Sequence, residues 1–312
     1  MHSTKTLSIF ASLNQNNIDM TKVISVLNYK GGAGKTTTTA NLGTALWIMG
    51  KKVLLIDSDI QCNLTFLLGF DQSEGDPTLH EWLLKDCPPP VYDRYPGLHY
   101  IPTKDDEEFE NKLDKVYHRE DVLRDHLELI KEHFDYILID CSFKAGLTNT
   151  NALNASDSLL IPAECASFSL QGMTKLMDTF HQVKSRMNKK LEIEGILYTK
   201  YMGGTRFSKK MTSYLKEDEE YAGHIFNTCI RKNVRFDESP IENKTVFEKD
   251  VNANGAEDYM LLAEEITREK RPNDWKERVL HAWLNEKPND EEVIKMLADM
   301  EKKKKSINLN NQ

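Results

Sequence analysis

The chain has 312 residues and a formal net charge of −8 at pH 7, with 39% hydrophobic and 29% charged residues. This length can hold one large α/β domain or two smaller ones, and the negative charge excludes a protein that is basic throughout, so nucleic-acid binding would need a local basic patch. The five scattered cysteines form no Cys-x-x-Cys pair, which argues against a metal or iron–sulfur site and favours a reducing cytoplasm, and no apolar run approaches the about 20 residues of a membrane span.

The first twenty residues predict a disordered or extended leader. A faintly apolar run at residues 7–13 resembles a weak signal peptide, but the polar run at residues 14–17 follows it without a good cleavage site. We therefore interpret residues 1–20 as a leader outside the folded domain, with Met20 as a candidate alternative start.

A glycine-rich loop between a predicted strand and a predicted helix is the most informative segment. Residues 23–27 are β-branched and apolar, typical of a buried strand, and residues 38–49 carry apolar side chains at helical spacing. The loop between them contains Lys30, Gly31, Gly32, Ala33, Gly34, Lys35, Thr36 and Thr37. Glycines let several backbone N–H groups point at one anion, and the helix N-terminus adds positive potential. The loop therefore predicts a nucleoside triphosphate site, with Lys35 on the β- and γ-phosphates and Thr36 on Mg²⁺.

Three aspartates follow predicted strands. The apolar run at residues 52–57 ends in Asp57, Asp59 follows two positions later, and the run at residues 134–140 ends in Asp140. Sheets of this class bind ligands at the carboxyl ends of their strands, so Asp57 and Asp140 are candidates to order magnesium-bound water. Asp59 is a candidate to orient or activate the attacking water. The alternative is that Asp57 and Asp59 only cap a helix.

The remaining segments predict the fold class and the domain limits. We predict an irregular segment over residues 66–106 with a short strand at 98–102, a helix over 120–132, a strand at 158–162, a helix over 168–187 and strands at 194–199 and 224–230. This alternation predicts an α/β fold, a doubly wound and mostly parallel sheet with helices on both faces. We place one ATPase domain at residues 21–270. Residues 271–312, with predicted helices at 275–284 and 290–300, form a charged helical C-terminal extension and tail.

Taken together, these motifs resemble the ParA/Soj partition ATPases of the deviant Walker-A class of P-loop ATPases. The extra lysine of that class is Lys30, and Tyr29 stands where the usual Gly-x-x-x-x-Gly-Lys-Thr pattern has its first glycine. Residues 57–63, 136–140, 160–164, 170–172, 233–240 and 254–259 also fit the family, so the resemblance covers residues 21–266. Ile60 and residues 142–144 depart from the family pattern, which leaves the interface role of the second stretch open.

The resemblance implies an ATPase in which two ATP-loaded subunits face each other and Lys30 reaches the phosphates of the partner. The catalytic residues that it implies are Lys30, Lys35 and Asp59. The Mg²⁺-site residues are Thr36, Asp57 and Asp140. Two further nucleotide-binding residues are Arg231, itself a departure from the family pattern, and Asn233, whose amide matches a position near the adenine.

The same resemblance implies the partners. They are a second copy of the chain on ATP binding, DNA held without sequence preference, and a ParB-like centromere-binding protein that stimulates hydrolysis. The implied location is the cytoplasm, in association with the nucleoid.

Basic residues concentrate in the C-terminal half of the chain, between residues 184 and 216 and again between 231 and 244. Such a local excess of positive charge is what phosphate-backbone binding needs, although residues 184–190 could simply complement a helix C-terminus. The candidate DNA contacts are Arg235, which we favour most, and Arg206, Lys209 and Lys210. Arg206 stands one or two places later than the family pattern has its arginine.

Two other functions stay open on the sequence alone. A MinD-like membrane-positioning ATPase needs a basic-flanked amphipathic C-terminal helix; Val293, Leu297 and Met300 share one face, but acidic neighbours make that helix poor for insertion, so we do not expect membrane binding. A metabolic P-loop ATPase that only shares the loop, such as a relative of cobyrinate amidases, needs a second substrate or cluster site, which the cysteines do not predict.

Overall fold

Strands and helices alternate along most of the chain, as the apolar pattern predicts. The computed structural model describes residues 20–71, 75–85, 87–164, 170–203, 213, 215–286, 295, 297, 298 and 302. Within these ranges the strands are β1 (Lys22–Val26), β2 (Val53–Asp57), β3 (Tyr92–Tyr95), β4 (Leu98–Ile101), β5 (Tyr136–Asp140), β6 (Ser158–Glu164), β7 (Glu192–Tyr201) and β8 (Ile225–Arg231). They form one eight-stranded sheet in the order β3-β4-β2-β5-β1-β6-β7-β8.

Helices cover both faces of this sheet. In the described ranges the α-helices are α1 (Lys35–Ile48), α2 (Asn63–Leu67), α3 (Leu79–Leu84), α4 (Phe109–Leu113), α5 (Val122–Leu127), α6 (Leu147–Ala155), α7 (Leu170–Arg186), α8 (Arg235–Glu238), α9 (Val246–Lys249), α10 (Asn254–Thr267) and α11 (Trp275–Glu286). Short 3₁₀ turns lie at Lys131–His133, Ala222–His224 and Ser239–Glu242.

All strand pairs of the sheet are parallel except β3 with β4, which is antiparallel. One apolar cluster lies on the face covered by α3 to α7, and a second lies on the face covered by α1, α10 and α11. Strands covered on both faces are continuously apolar rather than alternating, and all five residues of β2 are buried. The predicted α/β class with a doubly wound, mostly parallel sheet is therefore confirmed.

The strand register brings the predicted acids together. Val26, at the end of β1, pairs with Asp140 of β5, and Asp140 pairs in turn with Asp57 of β2. Both carboxylates therefore lie at the carboxyl edge of the sheet, beside the segment that follows β1. This edge is where sheets of this class bind ligands.

The outer edge of the sheet at β8 is blocked by acidic side chains of α10. Glu265 accepts hydrogen bonds from the backbone N–H groups of Asn227 (2.8 Å) and Thr228 (3.0 Å). Asp258 accepts one from the backbone N–H of Arg231 (2.9 Å). Because these three donors are occupied, this part of β8 is disfavoured for pairing with another chain.

Two predicted segments differ from the structure. The sequence predicts an irregular segment at residues 66–106 with one strand, which corresponds to β4. The structure adds α3 and β3, and β3 pairs with β4 as an antiparallel hairpin. The sequence of β3 is polar, and only its pairing with β4 makes it a strand. The helix predicted over residues 120–132 is shorter, because the chain tightens after α5 into i→i+3 hydrogen bonds such as Ile130 N to Leu127 O.

The first helix of the C-terminal extension packs on the domain. Trp275, Val279, Leu280 and Trp283 of α11 are buried in the second apolar cluster. The division near residue 270 stays a prediction. Residues 1–19 and most of the predicted helix at 290–300 lie outside the described residues. In the part that is described, no helix has the length and apolar character needed to cross a membrane.

Candidate nucleotide-binding site

The glycine loop joins β1 to α1 at the carboxyl edge of the sheet. Gly32 and Gly34 have φ angles of 73° and 93°, in the left-handed region that favours glycine. Gly34 directly precedes α1, whose first residue is Lys35. A Cβ atom on Gly31 would meet no other atom within 4 Å, so the loop is open at that point. The curled backbone and the helix N-terminus together fit a phosphate group.

Neighbouring strands hold this loop in place. The Thr199 hydroxyl, near the end of β7, donates a hydrogen bond to the carbonyl of Ala33 (2.8 Å). At the start of the loop, the Asn28 side chain donates to the carbonyl of Pro162 in β6 (2.7 Å) and accepts from the backbone N–H of Lys30 (2.9 Å). The loop is therefore tied to both strands on the β6–β7 side of the sheet.

The two lysines of the loop have different surroundings. Lys35 is buried, with 8% of its surface exposed, and its Nζ lies 5.8 Å from the centre of the Phe143 ring. The side chain of Lys30 is 28% exposed, and its Nζ lies 3.0 Å from Glu164 Oε2. The structure thus places Lys35 inside the site and Lys30 at its outer rim.

The three residues predicted for Mg²⁺ lie side by side. The Thr36 hydroxyl donates to Asp140 Oδ2 (2.7 Å), and Asp140 is the register partner of Asp57. A hydroxyl and two carboxylates are oxygen donors of the kind that Mg²⁺ prefers. The donor set therefore fits Mg²⁺ held together with nucleotide phosphates.

Burial changes the protonation behaviour of these acids. It raises the pKa of Asp57 to about 7 and holds the pKa of Asp140 well above its usual value, where the nearby charge of Asp57 adds to the effect. The ammonium of Lys35 acts on Asp140 in the opposite direction. Two carboxylates at such close range favour a compensating cation beside them.

A chain of buried hydrogen bonds, which the sequence reasoning missed, supports Asp57. Asp57 Oδ2 accepts from both the backbone N–H (2.8 Å) and the hydroxyl (2.7 Å) of Thr65. The Thr65 hydroxyl accepts from the backbone N–H of Thr103 (2.9 Å), and the Thr103 hydroxyl contacts His80 Nε2 (3.0 Å). Burial lowers the pKa of His80 to about 4, so the ring is neutral at pH 7. No local sequence pattern links these residues.

The Asp57 carboxylate does accept a backbone N–H from the first turn of α2, that of Thr65, but it also lies beside Asp140, so this contact does not restrict Asp57 to helix capping. Asp59 lies on the turn between β2 and α2 and is 5% exposed. Its carboxylate accepts the backbone N–H of Gln61 (3.2 Å), and its own N–H donates to Asp57 (3.1 Å). The structure therefore brings Asp59 next to the acids of the magnesium corner, which Thr36, Asp57 and Asp140 form together. The role of Asp59 toward water stays a prediction.

The two further nucleotide-binding candidates, Arg231 and Asn233, lie at the last residue of β8 and just after the strand. Two oxygens of Asp258 bind the guanidinium of Arg231, at 2.6 Å for the shortest contact. The carbonyl oxygen of the Asn233 side chain accepts the backbone N–H of Arg235 (3.0 Å). The amide NH₂ of Asn233 is the group that remains for a base, and both nucleotide assignments stay predictions.

The predicted DNA contacts are only partly within the described residues. Arg206, Lys209 and Lys210 lie outside them. Arg235 lies on α8, where Glu238 (2.8 Å) and Asp250 (3.5 Å) approach its guanidinium. Two carboxylates therefore offset the charge of the favoured residue, which the sequence reasoning did not foresee because Asp250 is distant in sequence.

Glu164 and Lys200 are further charged residues of the rim that the sequence reasoning did not assign to the site. Glu164 is the last residue of β6, and Lys200 is the penultimate residue of β7. A carboxylate at the end of a buried run, like Asp57 and Asp140, was the signal that could have identified Glu164, because parallel strands end at the same edge.

Comparison with known proteins gives concordant results. A family model described as an AAA domain matches residues 21–193. The chain is 35% identical over 256 residues to the chromosome partitioning protein ParA of Caulobacter vibrioides, covering 80% of this chain and 95% of that protein. It is 36% identical over 253 residues to the sporulation initiation inhibitor protein Soj of Bacillus subtilis, covering 79% of this chain and 98% of that protein.

Among solved structures, cobyrinic acid a,c-diamide synthase from Mycobacterium smegmatis, with bound ADP and magnesium, is similar to the chain. The TM-score is 0.70 at 29% identity, over 82% of this chain and 96% of that one. The similarity in fold therefore extends over most of this chain.

Proposed function

Because the chain belongs to the ParA/Soj-type P-loop ATPases, we propose that it is a DNA-partition ATPase whose ATP-bound dimer holds DNA without sequence preference. The chain is an ATPase that uses ATP and Mg²⁺. A ParB-like centromere-binding protein stimulates hydrolysis and thereby release from DNA. In the cell this activity belongs to the cytoplasm, on the nucleoid.

The different surroundings of the two loop lysines carry this proposal. Lys35 is enclosed by its own subunit, as a lysine that binds phosphate in cis must be. Lys30 lies at the rim, where its ammonium can reach the phosphates of a second copy. A charge-assisted contact of this kind is available only while the γ-phosphate is intact, so dimer formation reports the nucleotide state.

Each residue of the magnesium corner has a definite task in this scheme. Thr36, Asp57 and Asp140 would hold Mg²⁺ or its bound water, and the cation would offset the negative charge of the nucleotide phosphates. Asp59 orients the attacking water. The glycine loop binds the phosphates through its backbone, and Lys35 compensates their charge.

DNA binding follows from pairing two modest basic patches. The net charge of −8 and the carboxylates beside Arg235 make one patch weak, and non-specific affinity rises steeply with the number of phosphates contacted. In a dimer the second contact becomes effectively intramolecular. ATP therefore controls DNA affinity by controlling dimerisation.

The test is a gel-shift titration with non-cognate DNA in ATP, in ADP and without nucleotide, beside light scattering for the dimer. We expect DNA binding only with ATP, falling linearly with salt on a log–log scale and indifferent to sequence. Arg235→Glu should lower the affinity at least about tenfold while the ATP-driven dimer persists. Arg278→Glu is the matched control, since Arg278 is also paired with a nearby acid, Asp274, four residues before it.

Three results would redirect the assignment. Equally tight DNA binding without nucleotide would contradict ATP control. Pelleting with anionic liposomes in ATP, without DNA binding, would favour the membrane-positioning alternative. ATP hydrolysis that depends on a small-molecule acid substrate would favour a metabolic ATPase.

A further inference from the structure

Glu164 lies between two lysines at the outer rim of the glycine loop. We infer that its ion pair with Lys30, called here the latch, restrains Lys30 within its own subunit in the absence of nucleotide. Lys200 stays as the counter-ion of Glu164 when Lys30 leaves for the phosphates of the partner. This inference rests on the proposed function, in which Lys30 acts across a dimer.

The latch is short and held on both sides. Lys30 Nζ lies 3.0 Å from Glu164 Oε2, and the two side chains are only 28% and 20% exposed. The backbone of Lys30 is fixed by Asn28, which is itself bound to β6. Glu164 is the last residue of that same strand. Both partners therefore approach from backbone positions that the sheet defines, which lowers the entropy cost of forming the contact.

Lys200 approaches the same carboxylate from the next strand. Its Nζ lies 3.8 Å from Glu164 Oε1, the oxygen that does not make the short contact with Lys30. It also lies 4.0 Å from the point where a Cβ on Gly32 would be, so it stands against the glycine loop. The backbone of Lys200 has a φ of 48°, a left-handed conformation that is unfavourable for a long side chain. Strained residues of this kind concentrate at functional sites.

Charge balance explains why a second lysine matters. A partly buried carboxylate that loses its one counter-ion keeps an uncompensated charge, which opposes the departure of the lysine. With Lys200 beside it, Glu164 remains in a neutral pair after Lys30 leaves. The latch therefore restrains Lys30 only moderately, so that the phosphates of an ATP-loaded partner can attract Lys30 away from Glu164.

Amine acetylation of the nucleotide-free protein tests the latch directly. The rate at Lys30, measured by peptide mass spectrometry, should rise about two- to fivefold in Glu164→Gln, the range expected for loss of a partly exposed ion pair. Lys200→Met should slow the same reaction, because Lys200 then no longer competes with Lys30 for the Glu164 carboxylate. Glu269→Gln removes the acid of another lysine pair, that of Lys51, and should leave the rate unchanged.

Light scattering over an ATP titration tests the restraint. Glu164→Gln should lower the ATP concentration for half-maximal dimerisation about two- to fivefold, and the same change on a Lys30→Ala background should have no effect. Thermal unfolding of each variant checks that the fold is intact.

Each outcome is decisive. Unchanged acetylation of Lys30 in Glu164→Gln would overturn the latch. Faster acetylation with an unchanged ATP midpoint would overturn its role in dimerisation. A wild-type protein that stays monomeric in saturating ATP would overturn the proposed function and the restraint on dimerisation with it, while the acetylation rates would still decide whether Glu164 holds Lys30.

Discussion

The nucleotide site has a buried inner half and a partly exposed outer half. The inner half consists of Lys35, Thr36, Asp57, Asp59 and Asp140. The outer half consists of Lys30, Glu164 and Lys200. The inner threonine and acids are held by hydrogen bonds of the same subunit, whereas the outer side chains meet in ion pairs near solvent. Buried networks keep one geometry, while exposed ion pairs are weak enough to exchange partners. The inner half is therefore suited to binding and chemistry, and the outer half to switching.

Asp59→Ala is expected to give the largest effect and isolates chemistry within the inner half. Hydrolysis should fall about 100- to 10,000-fold, because positioning of the water is lost, while ATP affinity changes little. The variant should accumulate as an ATP-bound dimer. Phosphate release and light scattering measure both properties, and a variant that stays monomeric in saturating ATP would show that Asp59 is structural.

Lys35→Ala tests binding by the inner half. Loss of a charged contact to the phosphates should weaken ATP binding about 100-fold, including in protein dilute enough to be monomeric. Titration with a fluorescent ATP analogue measures this. Lys51→Ala, which removes a lysine paired with Glu269 elsewhere on the surface, is the control and should bind normally.

Lys30→Ala is the corresponding change in the outer half. Binding of ATP to the monomer should change less than about twofold, whereas the ATP concentration for dimerisation should rise about tenfold and hydrolysis should fall by a similar factor. The same titrations apply. If Lys30→Ala and Lys35→Ala lost ATP affinity equally, the division between the two halves would fail.

Thr103→Val is expected to give the smallest effect. It tests how far the inner half depends on the buried hydrogen bonds that connect Asp57 to His80 through two threonines. The variant loses the contact to His80 and disturbs Thr65, which holds Asp57. The Mg²⁺ concentration for half-maximal binding of a fluorescent nucleotide should rise about threefold, the effect of one neutral hydrogen bond. Thr103→Ser should behave as wild type.

A matched substitution controls for the loss of a hydroxyl. The Thr267 hydroxyl donates to Ala263 within α10, away from the site, so Thr267→Val should leave the Mg²⁺ dependence unchanged. A Thr103→Val protein with wild-type Mg²⁺ dependence would show that these buried hydrogen bonds contribute only to packing.

The α/β class, the glycine loop and the aspartates at the strand ends could all be predicted from the amino-acid sequence. These features are local, because a buried parallel strand is a continuous apolar run and its last residue lies at the ligand-binding edge. Strands such as β2 and β5 could therefore be predicted to within one or two residues. The polar strand β3 could not, since only its pairing with β4 defines it.

Which side chains meet depends on how the strands and helices pack together. Asp57 and Asp140 become neighbours through strand register, and His80 supports Asp57 through two threonines far apart in the chain. The pairing of Lys30 with Glu164 spans 134 residues. Asp250, the residue just after α9, offsets the charge of Arg235 on α8. Such contacts depend on the positions of several elements at once, so no local period or spacing encodes them. The functional residue types and the ends of the strands could be predicted from the sequence, whereas the fold determines which neighbours offset each charge.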